Sequence, residues 1–333
     1  MAFKAFIAGC ASLTLTPEER AFFKEERPWG LILFRRNVES PAQVKALTQD
    51  FRALVGSEAA VLVDQEGGRV QRLGSPHWPV YPAAARFGAQ QEGEALAELA
   101  ARLMASDLLS LGVDVDCLPV LDTPVEGAHD VIGDRAYART PEAVARLGGA
   151  AARGLLRGGV LPVMKHIPGH GRACADSHKE LPTLSASRKE LARDFAPFKA
   201  NAGLPAAMTA HVVYQALDPD APGTQSARVV SEIIRGEIGF DGLLMTDDLS
   251  MKALTGSFYE RTRKCFDAGV DLALHCNGDL AEARPVAEAA PELAGKALAR
   301  VQAARARVAR DRADGFDAAE ARAKLAEALT IVA

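Results

Sequence analysis

Residues 160–182 read VLPVMKHIPGHGRACADSHKELP. Val160-Leu161-Pro162-Val163-Met164 is a short apolar run of the length and composition of a buried parallel strand. From Lys165 to Pro182 neither the period of a strand nor that of a helix can be found. Into that aperiodic part the chain places His166, His170 and His178, Asp176, and the glycines Gly169 and Gly171. Packing a core asks for none of these. Asp176 and His178, two residues apart on a loop, can set a carboxylate against an imidazole. That contact fixes the ring's orientation and raises its basicity, which equips a histidine for proton transfer near neutral pH.

The same grammar, an apolar run that ends in polar residues, recurs along the whole chain. The runs are Phe3 to Ala8, Gly30 to Phe34, Ala60 to Val63, Val113 to Leu118, Val160 to Met164, Ala206 to Thr209, Gly242 to Thr246 and Val270 to Leu274. Segments of helical character separate them. In one, Ser40 can cap and Pro41 can occupy the first turn; in others Gly239 and Gly269 mark helix ends. Alternation of this kind specifies parallel strands joined by helices, and eight runs of similar length fit a closed (β/α)8 TIM-like barrel. After the runs come Arg35 and Arg36, Asp64 to Arg69, Asp122, Lys165 and His166, His211, Asp247 and Asp248, and His275 to Asn277. Polar groups thus gather at one end of the strands, the rim where barrels of this class hold their ligands. Two connections are long, 64 to about 95 and 165 to about 186, as functional loops are. We expect a single domain over residues 1–333, with 291–333 as its terminal helices.

Composition excludes several classes of function. With 48% hydrophobic and 25% charged residues, the 333-residue chain can bury a large core, and a net charge of −4 argues against a nucleic-acid partner. The basic stretch Arg300 to Arg312 is interleaved with alanine, valine and aspartate and reads as a solvated helix face. Five scattered cysteines without a C-x-x-C pair point to reduced thiols and a cytoplasmic location. Ile7-Ala8-Gly9-Cys10 has the look of a lipoprotein cleavage box. The apolar stretch before it is shorter than a secretory core of about 7 residues, so we read it as a first strand with a buried thiol. No run is apolar enough to span a bilayer, and no membrane partner is expected. Gly67 and Gly68 hint at a phosphate cradle, but no G-x-x-x-x-G-K-[ST] follows.

Four separated motifs, V-D-Q-E-G-G-R-V-Q-R from Val63, K-H-I-P-G-H-G from Lys165, A-D-S-H-K-E-L-P from Ala175 and M-T-D-D-L-S-M from Met245, resemble glycoside hydrolase family 3. Within that family the chain is similar to the compact bacterial β-N-acetylhexosaminidases of peptidoglycan recycling. The resemblance covers about residues 30 to 280 and carries roles onto matching positions. Asp247 is implied to be the nucleophile of a retaining glycosidase, forming a covalent glycosyl-enzyme. His178 is implied to be the acid/base, with Asp176 orienting it. Asp64, Arg72, Arg135, Lys165 and His166 are implied to bind the terminal sugar, while Asp248 is read as structural and His170 and His211 are left outside catalysis. Leu181 and Asp134 stand where relatives often have threonine and glutamate, which bears on fine specificity alone.

The implied activity is removal of terminal β-linked GlcNAc, from GlcNAc-1,6-anhydro-MurNAc and its peptides, by a monomer without metal or cofactor. A phosphorylase of the same family is the near alternative, because a histidine acid/base leaves room for an anionic acceptor. Two others are a zinc hydrolase using Asp176, His166, His170 and His178, and a non-catalytic sugar-binding barrel. Pro168 and Gly169 keep His166 and His170 off one helical face, which weakens the zinc reading.

Overall fold

Each apolar run becomes a strand of a barrel in the computed structural model, which describes residues 2–173 and 180–330. The strands are β1 (Lys4–Gly9), β2 (Pro28–Leu33), β3 (Ala60–Val63), β4 (Val115–Asp116), β5 (Leu161–Ile167), β6 (Ala206–Thr209), β7 (Leu243–Asp248) and β8 (Leu272–His275). They pair in parallel in chain order, and β8 returns to β1 to close the sheet. The outer helices are α1 (Pro17–Glu26), α2 (Pro41–Val55), α3 (Ala84–Gly88), α4 (Gly93–Ser110), α5 (Pro141–Gly158), α6 (Arg188–Ala200), α7 (Phe258–Asp267) and α8 (Leu280–Ala289). A π-helical segment, Val229–Glu237, takes the helix position between β6 and β7. Two more helices, α9 (Gly295–Asp311) and α10 (Ala318–Thr330), follow the barrel.

Local signals explain the helix boundaries. The Ser40 hydroxyl accepts the Gln43 N–H at 3.3 Å with Pro41 in the first turn, and Thr16, Ser187 and Ser257 each begin a capping box. Gly239 and Gly269 adopt φ of 77° and 97° where the chain turns from helix to strand.

Strand periodicity sorts the core into two layers. Ala5 and Ile7, Ala60 and Leu62, Leu161 and Val163, Leu243 and Met245, and Leu272 and Leu274 share one cluster inside the barrel. The alternate residues, among them Phe6, Ala8, Val61, Val63, Met164, Leu244 and Ala273, join a second cluster beneath the helices.

Two strands differ most from the sequence expectation. The fourth shrinks to two residues because the Asp114 carboxylate takes the Val61 N–H at 2.7 Å and Pro119 has no N–H to donate. Single bonds continue the ladder, with the Val163 N–H on the Leu118 carbonyl at 3.0 Å and the Lys165 N–H on the Pro119 carbonyl at 2.9 Å. The fifth runs on to Ile167, so Lys165 and His166 are strand residues rather than loop residues.

The basic tail keeps a solvated face, with Arg310 and Arg312 exposed, but its other side is built into the barrel. Val301 and Ala304 of α9 enter the inner cluster. Arg300 pairs with Asp241 and Asp271, Arg305 with Glu58, and Arg307 reaches the Gly203 carbonyl. All four partners sit just before strands β7, β8, β3 and β6. Helix α9 therefore lies across the N-terminal mouth of the barrel and closes it from below, leaving the opposite rim as the open end.

Candidate active site

Period-two alternation carries each strand from apolar filling to chemistry. Inward positions run Ala60, Leu62, then Asp64 on β3; Leu161, Val163, then Lys165 on β5; Leu243, Met245, then Asp247 on β7. On β8 they run Leu272, Leu274, then Cys276. These end positions line one cavity of about 280 Å³ at the C-terminal rim. Ile32, Met208, Leu274 and Cys276 also line it and belong to the layer that fills the barrel, or lie against it, and Phe34, Val70, Val131 and Ile132 add apolar surface. Asp64, Glu66, Arg72, Arg135, Lys165, His166, His170, Asp247 and Asp248 provide the polar groups.

At its centre Lys165, 2% exposed, is clasped by two carboxylates, Asp64 at 2.7 Å and Glu66 at 2.6 Å. Arg72 meets the other oxygen of Asp64 at 3.0 Å, and Arg135 bonds Glu66 bidentately at 2.8 Å and 2.8 Å. Burial alone would raise the Asp64 and Glu66 carboxyls. Lys165 acts against it on both, with Arg72 on Asp64 and Arg135 on Glu66, and holds them below the ordinary range. Burial would likewise push Lys165 down, but the two carboxylates outweigh it and keep the ammonium charged. Three cations thus face two anions, and Asp247 brings a third carboxylate to the same cavity.

The loop after β3 delivers Arg72 by a small hairpin, Gln65–Gly67 against Val70–Gln71. The Gln65 amide oxygen accepts the Arg72 and Leu73 N–H groups at 3.0 and 3.1 Å. Gly67 and Gly68 form its turn at φ of 87° and 57°, and a Cβ on Gly67 would stand 2.3 Å from the Pro82 carbonyl oxygen. Their role is that turn, not a phosphate cradle. Phe34 lies between the guanidinium groups of Arg36 and Arg72, each 5.0 Å from its ring centre, and so helps to aim Arg72.

The structure brings together Asp64, Arg72, Arg135, Lys165, His166 and Asp247. Asp176 and His178 lie outside the described residues. Asp248 reaches the cavity wall, but its carboxylate is tied into scaffolding, accepting from Ser250 Oγ at 2.5 Å, the Ser250 N–H at 3.0 Å and the Cys276 N–H at 3.0 Å. His211 is buried between Thr224 Oγ1 at 2.8 Å and the Asp248 carbonyl at 3.1 Å. Arg36 is spent on the Cys10 and Cys276 carbonyls, and His275 packs edge-on against Phe258. Glu66 and Asp122 are the groups to which sequence reasoning gave no role. Their order in the chain places both at the rim, and only contact with Lys165 and with His166 gives them a role. Among the described residues no group of three or more His, Cys, Asp or Glu side chains could hold a metal ion.

His170 is buried, and burial first, then the nearby His166, lowers its pKa from 6.5 to about 4 against the pull of Asp122 and Asp247. The unfolded chain binds this proton near 6.5 and the folded chain only near 4. The stability it contributes is therefore complete above 6.5 and is lost as pH falls to about 4, on the order of 3 kcal/mol in all. Urea unfolding of wild type and His170→Asn across that window should show a loss smaller by about that amount in the variant. Parallel curves would mean that His170 does not carry this linkage.

Residues 10–310 match the family described as "Glycosyl hydrolase family 3 N terminal domain". A protein named Beta-hexosaminidase from Alkalilimnicola ehrlichii is 42% identical over 278 residues, covering 81% of this chain and 79% of its own. A family 3 β-N-acetylglucosaminidase from Paenibacillus superposes with a TM-score of 0.87 at 31% identity, covering 97% of this chain and 67% of that one. NagZ from Neisseria gonorrhoeae, solved with N-trifluoroacetyl-D-glucosamine, gives 0.84 at 34% identity, with coverage of 100% and 98%. A closed barrel carrying its carboxylates and cations at the C-terminal rim, matched over nearly its whole length by these proteins, belongs to glycoside hydrolase family 3 and is an enzyme of that family.

Proposed function

We propose that the enzyme is a β-hexosaminidase that works as a retaining exo-β-N-acetylglucosaminidase. The observation that carries this reading is the meeting of Asp247 with the Asp64, Arg72, Lys165, Glu66 and Arg135 network in one small cavity. Its volume lies near the lower end of small-molecule sites, about 300 Å³, which suits one sugar ring. The packed barrel beneath leaves no room for a longer chain to pass through, so a terminal residue enters. Asp64 and the cations can bond vicinal hydroxyls, and Asp247 attacks the anomeric carbon to form a glycosyl-enzyme that water then resolves. His178, oriented by Asp176, protonates the leaving oxygen and then deprotonates the water. The substrate is GlcNAc linked to 1,6-anhydro-MurNAc, with or without its peptide, in peptidoglycan recycling.

We place the enzyme in the cytoplasm as a monomer. The four described cysteines, all buried free thiols, support reducing surroundings. No described helix is long and apolar enough to cross a membrane.

The deciding assay is nitrophenol release from 4-nitrophenyl N-acetyl-β-glucosaminide, with the β-glucoside as control and a chelator in a parallel arm. Activity on the N-acetyl sugar alone, indifferent to chelator and yielding GlcNAc rather than its 1-phosphate, supports hydrolysis. Loss to the chelator would restore the zinc reading. His178→Ala should slow the nitrophenyl glycoside by about 10-fold and an unactivated disaccharide by about 10³-fold, because a good leaving group needs little protonation. Equal losses on the two would take the acid role from His178.

A further inference from the structure

Asp122 is fully buried beyond the end of β4, and its carboxylate meets His166 on β5 and His170 in the turn that follows. One carboxylate oxygen is 2.6 Å from His166 Nδ1 and 3.3 Å from the His166 N–H; the other accepts the His170 N–H at 2.6 Å. Burial would raise this carboxyl, but its close contacts with His166 and with the His170 N–H hold it below the ordinary range, so it is an acceptor at neutral pH. The adjoining turn is held from outside as well, by Tyr214 Oη donating to the Gly169 carbonyl at 2.9 Å.

An ionised carboxylate can only accept, so His166 must present Nδ1–H to it. The neutral ring then carries its lone pair on Nε2, the nitrogen on the far side from Asp122, and His166 lines the sugar cavity. We propose that Asp122 is a positioning residue that fixes the Nδ1–H tautomer of His166, making this ring an acceptor for one donor hydroxyl of the substrate. Lys165, Arg72 and Arg135 can only donate to the sugar, whereas Asp64 and His166 accept. Each hydroxyl has one proton to give, so the polarity of His166 selects which hydroxyl of the ring can sit beside it. This inference rests on the cavity being the sugar site proposed above.

Asp122→Asn separates the tautomer from the fold. Its amide oxygen can keep the His170 N–H, while its NH2 donates to Nδ1 and drives the proton of His166 to Nε2, reversing the polarity offered to the sugar. The first measurement needs no variant: nitrogen NMR of histidine-labelled wild type at alkaline pH should show His166 protonated on Nδ1. In Asp122→Asn the proton should move to Nε2, and kcat/KM for the nitrophenyl N-acetylglucosaminide should fall by about 10- to 100-fold through a polar contact of the wrong sense. Among 3-, 4- and 6-deoxy analogues, the one most impaired in wild type should lose its disadvantage in the variant. A wild-type ring protonated on Nε2, a variant with unchanged tautomer, or equal losses on parent and deoxy sugars would overturn the proposal. The NMR result stands whether or not the glycoside is a substrate, so its failure and failure of the hexosaminidase reading are separately visible.

Discussion

Asp247→Ala should lower turnover of the nitrophenyl N-acetylglucosaminide by at least about 10⁴-fold, the scale on which removal of a covalent catalyst registers. Binding of free GlcNAc, measured by calorimetry, should change little. The proposed grip on the sugar is a network closed by its own bonds, from Arg72 through Asp64, Lys165 and Glu66 to Arg135. Asp247 stands at the end of β7, where its carboxylate also accepts the Asp248 N–H at 2.8 Å, and alanine there removes side-chain atoms from the rim rather than from the packed layers. The space left can admit a small anion on the face the carboxylate used. Azide should therefore restore part of the turnover and yield the α-glycosyl azide. Most of the activity surviving in the variant, or a β-azide product, would remove Asp247 from the nucleophile's role.

Lys165→Met should cost both stability and function. The substitution keeps length and apolar volume but takes away the cation that bridges the Asp64 and Glu66 carboxylates. Breaking one side of a buried ion pair destabilises by about 3–5 kcal/mol, and because Arg72 and Arg135 still hold the outer oxygens we expect the lower end, about 3 kcal/mol. Urea unfolding would measure it, and sugar binding should vanish with it. Lys165→Met with Glu66→Gln removes one of the two carboxylate charges that Lys165 had offset, so the pair should regain part of the stability without regaining binding. A single variant within about 1 kcal/mol of wild type would show that the clasp is not where the rim stores its electrostatic energy.

The barrel was legible because strands buried on both faces must be apolar throughout, and eight such runs, each closed by polar residues, leave few topologies. Family motifs then pointed to Asp247, Lys165 and Arg72, and alternation puts two of them inward with no motif at all. Parity along a strand is a local property. Asp64, Lys165 and Asp247 are the next inward positions after Leu62, Val163 and Met245, so the sequence carries this information in its order.

Partnership is not local. Lys165 finds Asp64 101 residues away, Arg135 finds Glu66 69 away and His166 finds Asp122 44 away. A lone acid after a strand reads the same whether it faces solvent, a backbone N–H or a cation. Asp248, directly beside Asp247, shows the limit, since a one-residue step along β7 turns its carboxylate to Ser250 and the Cys276 N–H. The tail shows it again, because its arginines acquire meaning only against Asp241, Asp271 and Glu58 at the barrel's lower mouth. What the sequence by itself determined was the repeat, the inward face of each strand and the end at which chemistry gathers, all set by side-chain period and local propensity. Which charges neutralise one another, which nitrogen of His166 faces Asp122 and which end is plugged were decided by tertiary structure alone, because these depend on distances across the barrel between residues the chain keeps far apart.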